Sequence, residues 1–103
     1  MAKTTLIEVT KTDNELYLIA LPSNGLAGSV IGHITSGFNN PVDYKVVPQS
    51  VLAAGDYTLV LIGINWGGPQ QFSVTLTGNA SPNQNFGTGT AVGATSVSVP
   101  MTV

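Results

Sequence analysis

Residues 57–77 read YTLVLIGINWGGPQQFSVTLT, and this stretch decides the fold. Its first part, residues 57–64, is apolar on both faces apart from Thr58, whereas residues 71–77 alternate apolar and polar side chains. Strict alternation is typical of a strand with one face in a core and the other in water. Glycines and a proline in residues 65–70 indicate a turn. The stretch predicts two strands paired as a hairpin, the first being central in its sheet or covered on its outer face by another chain.

The rest of the chain continues this pattern of strands and turns, without the spacing of an amphipathic helix. Turn-forming residues interrupt it about every 8 to 12 residues, as in all-β proteins. Further strands are expected at residues 6–10, 15–21, 29–35, 42–47 and 94–101, the first two as a hairpin, and residues 78–89 as a neutral loop. The sequence predicts one domain over residues 1–103, an antiparallel β-sandwich of jelly-roll or Ig-like type with about seven strands. The predicted core consists of Leu6 or Ile7, Leu16, Leu18, Ile31, Val42, Tyr44, Val46, Leu59, Leu61, Phe72, Val74, Leu76, Val97 and Val99.

Charge is confined to the first half of the chain, because no Asp, Glu, Lys, Arg or His follows Asp56. Charged residues make up 8% of the sequence, hydrophobic residues 43%, and the formal net charge is -2. Such a chain has no basic patch to attract nucleic acid or an anionic membrane, so neither is expected as a partner. A low net charge favours association. We therefore expect a homo-oligomer in which residues 57–103 supply the subunit contacts.

Titratable side chains are too few for the common kinds of catalytic or metal site. The chain has no cysteine, and His33 is its only histidine. A catalytic triad or a zinc site would need more of these groups. His33 is expected to be a partly buried strand residue bonded to backbone, and residues 13–15 to form a polar turn without the spacing of a calcium loop. We expect no enzymatic activity, no cofactor and no bound metal.

Neutral recognition is the chemistry that remains. Trp66, the only tryptophan, lies in a turn rich in glycine and amides. Aromatic rings stack on sugar rings while amides bond the hydroxyls. One hypothesis is a carbohydrate site with Trp66 as the stacking platform and Asn65, Gln70, Asn39 and Asn40 as hydrogen-bonding partners. The alternative is that Trp66 covers the end of the sheet or anchors a neighbouring subunit.

Neither a signal peptide nor a membrane-spanning segment is expected within residues 1–103. Its first ten residues include Glu8 and alternate from the start, unlike a signal peptide. The apolar runs are shorter than the roughly 20 residues of a membrane helix. Membrane insertion is not expected, and the location of the protein stays open.

Residues 52–61, LAAGDYTLVL, and residues 72–76, FSVTL, resemble the turn-and-strand pattern of bacterial β-sandwich accessory modules, including the bacterial pre-peptidase C-terminal domains. The resemblance implies a β-sandwich that serves as a binding or secretion aid. In its cysteine-free, nearly uncharged composition, the chain is also similar to small virion structural proteins and bacterial lectins. Two functions are therefore considered: a non-catalytic, self-associating structural or interaction module of the virion or surface-assembly kind, and a carbohydrate-binding module.

Overall fold

The computed structural model describes residues 2–38 and 40–103, which form a sandwich of two antiparallel sheets. The strands are β1 (Leu6–Lys11), β2 (Asn14–Pro22), β3 (Ser29–Ser36), β4 (Tyr44–Val46), β5 (Asp56–Asn65), β6 (Phe72–Thr77), β7 (Asn83–Phe86) and β8 (Gly93–Thr102). A short helix, α1 (Pro48–Val51), follows β4. Sheet A has the strand order β4-β1-β6-β7 and sheet B the order β3-β2-β5-β8. The predicted all-β sandwich is confirmed, with eight strands instead of about seven.

Both predicted hairpins are wrong, because at each of these turns the chain passes from one sheet to the other. β1 lies in sheet A and β2 in sheet B, and β5 lies in sheet B while β6 lies in sheet A. Within sheet B, β5 pairs with β2 and β8, so that Leu61 lies between Leu18 and Val97. The central position predicted for this strand is confirmed. Alternation had indicated the faces of the strands, but it does not determine their neighbours.

The additional strand, β7, lies within the stretch that was predicted to be a loop. Its sequence is Asn83-Gln-Asn-Phe86, and asparagine is disfavoured in strands. β7 pairs with β6, and the ring of Phe86 stacks on that of Phe72 with the ring centroids 5.2 Å apart. These tertiary contacts override the low strand propensity. β4 is in turn shorter than the strand predicted for residues 42–47.

The core lies between the two sheets. Ten of the predicted core residues are buried: Ile7, Leu16, Leu18, Val46, Leu59, Leu61, Phe72, Val74, Leu76 and Val99. Ile31, Val42, Tyr44 and Val97 are only partly buried and pack against this cluster. Val9, Ala20, Met101 and Val103 are buried without having been predicted. Burial of a large aliphatic side chain is worth about 1.5–3 kcal/mol, so these residues dominate the stability of the sandwich.

The outer faces of the two sheets differ in chemistry. On sheet A the outward side chains are polar except for Leu6, and Glu8 lies between Lys45 and Thr75 on the neighbouring strands. On sheet B the outward side chains in the middle of the two central strands are apolar, with Glu15 at the upper end of β2 and Asp56 and Thr58 at the lower end of β5. We call the apolar ones the apolar stripe: Tyr17, Ile19 and Leu21 of β2, and Val60, Ile62 and Ile64 of β5. No other element of residues 2–38 and 40–103 packs over the apolar stripe.

The only helix in these two ranges is the single turn α1, so no described helix has the length and hydropathy needed to cross a membrane.

Candidate functional site

The loops that carry the predicted ligand residues lie together at one end of the sandwich, which we call the upper end. They include residues 12–13, 40–43, 66–71 and 87–92. The antiparallel register brings these loops together, since Asn65 pairs with Gly93 and Asn14 with Ser36. Trp66, Gln70 and Asn40 are therefore at the same end. Asn39, which was also predicted to bind a ligand, lies outside the described residues.

Trp66 is held by two residues at the start of β2. Its backbone N–H donates to Oδ1 of Asn14 at 2.7 Å, and its indole Nε1–H donates to Oε2 of Glu15 at 3.0 Å. The other oxygen of Glu15, Oε1, lies 3.1 Å from Nε2 of His33. The imidazole of His33 stacks on Tyr17 with the ring centroids 4.2 Å apart. These five residues form the Trp66 cluster, in which Trp66 itself is 60% exposed.

Glu15 is the charged centre of the Trp66 cluster. The hydrogen bond from Trp66, followed by that with His33, holds the pKa of Glu15 below its ordinary value. The carboxylate is therefore ionised at neutral pH, with a partner for each oxygen. It fixes the indole through its N–H while leaving more than half of Trp66 accessible.

Asn65 is fully buried, and its amide joins two loops of the upper end. Its Nδ2 donates to the carbonyl oxygens of Gly68 at 2.9 Å and Ala91 at 3.0 Å, while its Oδ1 accepts from the N–H of Gly67 at 3.2 Å. Both amide hydrogens are thus used within the fold. The side chain holds the loops in place and has no donor left for a ligand.

Gln70 and Asn40 differ in their surroundings. Nε2 of Gln70 donates to the carbonyl of Thr88 at 2.9 Å, so this side chain also fixes the loop at residues 87–92. Its Oε1 is buried and has no hydrogen-bonding partner among the described residues. Asn40 is exposed beside a shallow cleft of about 200 Å³ that Lys11 and Phe38 help to line. Of the predicted ligand residues that are described, Trp66 and Asn40 are accessible, while Asn65 and Gln70 serve the framework.

Four members of the Trp66 cluster were not among the predicted ligand residues: Asn14, Glu15, Tyr17 and His33. The expectation that His33 is partly buried and bonded to backbone is wrong, because it is exposed and lies against Glu15. Alternation along β2 places Glu15 and Tyr17 on one face, and this signal could have linked them. His33 and Trp66 reach Glu15 only because β3 and β5 pair with β2 and lie beside it, and a single sequence does not show strand pairing.

Asp13, expected in a polar turn, is only 3% exposed. Its Oδ2 is buried and has no partner in the described part of the chain. Burial raises the pKa of Asp13, since the ionised form loses its hydration there. Residues 13–15 thus have different surroundings. Asp13 is buried, Asn14 accepts the backbone N–H of Trp66, and Glu15 is the centre of the Trp66 cluster.

Other parts of the surface offer less defined chemistry. A wide cleft of about 390 Å³ at the lower end is lined by Asn24, Leu26, Asp56 and Tyr57, among others. The Asp56 carboxylate in it already accepts a hydrogen bond from the hydroxyl of Thr102 at 2.9 Å. No group of three or more His, Cys, Asp or Glu side chains suited to a metal ion occurs within residues 2–38 and 40–103.

No protein-family model matches the chain, and comparisons with curated proteins and with solved structures give no match either. The resemblance of residues 52–61 and 72–76 to accessory modules stays a prediction. The two surfaces with distinctive chemistry in residues 2–38 and 40–103 are the apolar stripe and the Trp66 cluster.

Proposed function

We propose that this protein is a non-catalytic structural or interaction module that associates with further copies of itself through the outer face of sheet B. The observation that carries the proposal is the apolar stripe. Its residues alternate with the fully buried Leu18, Leu59 and Leu61, so β2 and β5 are apolar on both faces. A continuous apolar surface of this kind is typical of an interaction site.

The chemistry of the face favours a second copy as the occupant. Glu15 and His33 contact each other at its upper margin, and Asp56 accepts a hydrogen bond from Thr102 at its lower margin, so the interior of the apolar stripe carries no charge. The interiors of two identical faces can therefore meet without opposing like charges. Each Å² of apolar surface removed from water contributes about 25 cal/mol, which makes the association favourable without specific ion pairs.

The polar outer face of sheet A supports a one-sided association. Lys45 is exposed there beside Asp43, and Ser73 and Asn85 share a hydrogen bond of 2.8 Å on its other half. These groups remain hydrated when only sheet B is covered. A module with one apolar and one hydrated face forms a limited assembly instead of aggregating on all sides.

The experiment is a light-scattering measurement of mass over a concentration series, on the wild type and two lysine variants. Ile62→Lys places a charge within the apolar stripe, and the matched control Thr75→Lys places it at an outward position of a central strand in sheet A. We expect the wild type and Thr75→Lys to share an oligomeric mass. Ile62→Lys should dissociate at concentrations at which the control stays assembled.

Two outcomes would contradict the proposal. A monomeric wild type at the highest concentration would show that the apolar stripe stays in water. An Ile62→Lys variant with the mass of the wild type would show that association uses another surface. Circular dichroism of the dilute variant separates loss of assembly from loss of folding. If Ile62→Lys does not fold, Ile62→Thr is a milder substitution at the same position for the same measurement.

A neutral carbohydrate is the second candidate partner, favoured by the exposed and fixed indole of Trp66. The aromatic pair Tyr17 and His33 lies on the other side of the Glu15 carboxylate, which can accept hydrogen bonds from sugar hydroxyls. Among the predicted amides that the structure describes, Asn40 is the accessible one. This combination of aromatic surface and acceptors is suited to a neutral polyol.

Trp66→Ala separates the two roles of this residue. If Trp66 is a sugar platform, the variant should lose retention on a glycan array while its oligomeric mass is unchanged. If it anchors a subunit contact, the mass should fall instead. Trp66→Phe is the control, since it keeps an aromatic ring but removes the indole N–H that Glu15 accepts. A wild type that retains no glycan would contradict the carbohydrate proposal and leave self-association untouched.

A further inference from the structure

The free edge of sheet B is formed by its longest edge strand, β8. This strand has ten residues and carries no charge. The edge strands of sheet A, β4 and β7, have three and four residues, and the other edge strand of sheet B, β3, carries His33 and an irregularity in its pairing. Proteins usually protect a sheet edge with short strands, charges or bulges. Along most of β8 these protections are missing.

The backbone groups that point to the free edge can be assigned from the lower part of β8. The carbonyl of Pro100 accepts from Nδ2 of Asn79 at 2.8 Å, and that of Thr102 accepts from the N–H of Thr4 at 2.9 Å. Both carbonyls therefore point away from β5. In an antiparallel pair, every second residue has this orientation. Ala94, Ser96 and Ser98 accordingly direct their N–H and C=O groups outward.

The lower part of the edge is closed to further pairing. Pro100 has no N–H to donate, and Asn79 and Thr4 occupy the carbonyls there. No described strand pairs with the outward groups of Ala94, Ser96 and Ser98. The open part of the edge is thus a short segment that is symmetric about Ser96.

We propose that β8 pairs with β8 of a second copy in an antiparallel register centred on Ser96. In this register Ser96 lies opposite Ser96 of the second copy, and Ala94 lies opposite Ser98 of the second copy. These three pairs form about six N–H···O bonds, two for each pair. If the register is shifted by two residues towards the C-terminus, Ala94 lies opposite Pro100, which has no N–H to donate. If it is shifted by two residues the other way, Ser98 no longer lies opposite Ala94, Ser96 or Ser98 of the second copy.

The second copy fits because the open segment is complementary to itself. Its outward donors and acceptors repeat at the same spacing on either side of Ser96, and its side chains are small and neutral, so two antiparallel copies meet without a clash of charge. The pairing joins two copies of sheet B into one continuous sheet and sets their apolar stripes side by side. It uses a different surface from the face-to-face contact proposed above, and goes beyond it.

Single cysteines test the register, since the chain has none of its own. Ser96→Cys places two thiols on a directly opposed pair, with Cα atoms about 5.5 Å apart, inside the range that a disulfide spans. The matched control Ser98→Cys lies two residues away in the same strand. In the proposed register its two copies are offset by four residues, about 13 Å, which a disulfide does not span.

Under mild oxidation of the full chain, we expect Ser96→Cys to form a disulfide dimer roughly tenfold faster than Ser98→Cys, because of these separations. A mixture of Ala94→Cys and Ser98→Cys should cross-link between the two variants and do so faster than either alone. Equal rates for Ser96→Cys and Ser98→Cys would overturn the register. Absence of a disulfide dimer for Ser96→Cys would overturn the edge pairing, whatever the mass of the wild type.

A single proline substitution tests the edge pairing independently of the cysteines. Ser96→Pro removes the outward donor but no hydrogen bond to β5, and Pro100 shows that β8 accepts proline at an outward position. We expect Ser96→Pro to reduce the mass while Ser96→Ala, which keeps its N–H, has the mass of the wild type. A Ser96→Pro variant that is folded and keeps the wild-type mass would overturn the pairing. The face-to-face contact is judged separately by Ile62→Lys.

Discussion

Gly63 illustrates how one residue in the core determines the position of another. It faces the ring of Phe72, and a Cβ added to it would lie 2.5 Å from Cε2 of that ring. Phe72 is fully buried and also contacts Phe86, so the ring has little room to move. The glycine at position 63 thus allows a phenylalanine in sheet A to reach sheet B.

Gly63→Ala is therefore expected to destabilise the fold by about 1–3 kcal/mol through overpacking. Urea denaturation gives this value directly. Leucine at position 72 leaves more space, so the same alanine should cost less in a Phe72→Leu background, and the double-mutant cycle measures the difference. An equal cost in both backgrounds would show that the two residues do not interact.

Glu15 gives stability a dependence on acid pH. Its folded-state pKa is lower than the ordinary value of 4.5 because Trp66 and His33 bond the ionised form. Its stabilising contribution is therefore complete above the unfolded-state pKa, and is lost as the pH falls through the lowered folded-state pKa. Glu15→Gln removes the titration while keeping an oxygen acceptor.

We expect Glu15→Gln to be less stable than the wild type at neutral pH and to approach it below the folded-state pKa of Glu15. Urea denaturation over a pH series measures this difference, in which the other acids cancel. A Trp66→Phe background, lacking the indole donor, should reduce the difference. A constant difference across the acid range would contradict the assignment of Glu15 as the titrating group.

At the scale of elements, the sequence predicted which face of a strand is buried better than it predicted which strands pair with each other. The alternation of residues 71–77 correctly assigned Phe72, Val74 and Leu76 to the core. The partner of that strand was wrong, because the turn at Gly67 and Gly68 connects two sheets and its composition is equally suited to a hairpin. The Trp66 cluster was missed for the same reason, since it depends on the pairing of β2 with β3 and β5.

Hydrogen exchange along β8 should show a two-residue period in the dilute protein. The amides of Val97 and Val99 point to β5 and should exchange slowly, whereas those of Ala94, Ser96 and Ser98 point outward and should exchange fast. At concentrations that favour association, the proposed edge pairing should protect these three amides. Outward amides that stay unprotected in the assembled protein would contradict it.

At the scale of the whole molecule, charge is segregated from the apolar stripe. Glu8, Lys11, Asp43 and Lys45 lie on sheet A or its loops. At the margins of the apolar stripe, Glu15 contacts His33 at the upper end, and Asp56 accepts a hydrogen bond from Thr102 at the lower end. Neither the proposed face contact nor the edge contact of β8 includes an ion pair. Assembly should accordingly depend on surface burial and backbone pairing instead of charge.

The dissociation constant of the assembly is therefore expected to change by less than about threefold between low and high concentrations of sodium chloride, since no charge pair is screened. Light scattering at several salt concentrations measures it. Thr75→Lys serves as the control, because its added charge lies on sheet A. A strong weakening by salt would indicate that charged residues of sheet A take part in the contact.

The difference between the two outer faces also determines how a single molecule should orient at a boundary between water and air. Sheet A presents Lys45 and Asn85 to water, while the opposite side presents the apolar stripe. A rigid body with one hydrated and one apolar side behaves as a surfactant. Dilute, unassembled protein should therefore collect at an air–water boundary with sheet B toward the air, and Ile62→Lys should reduce that adsorption.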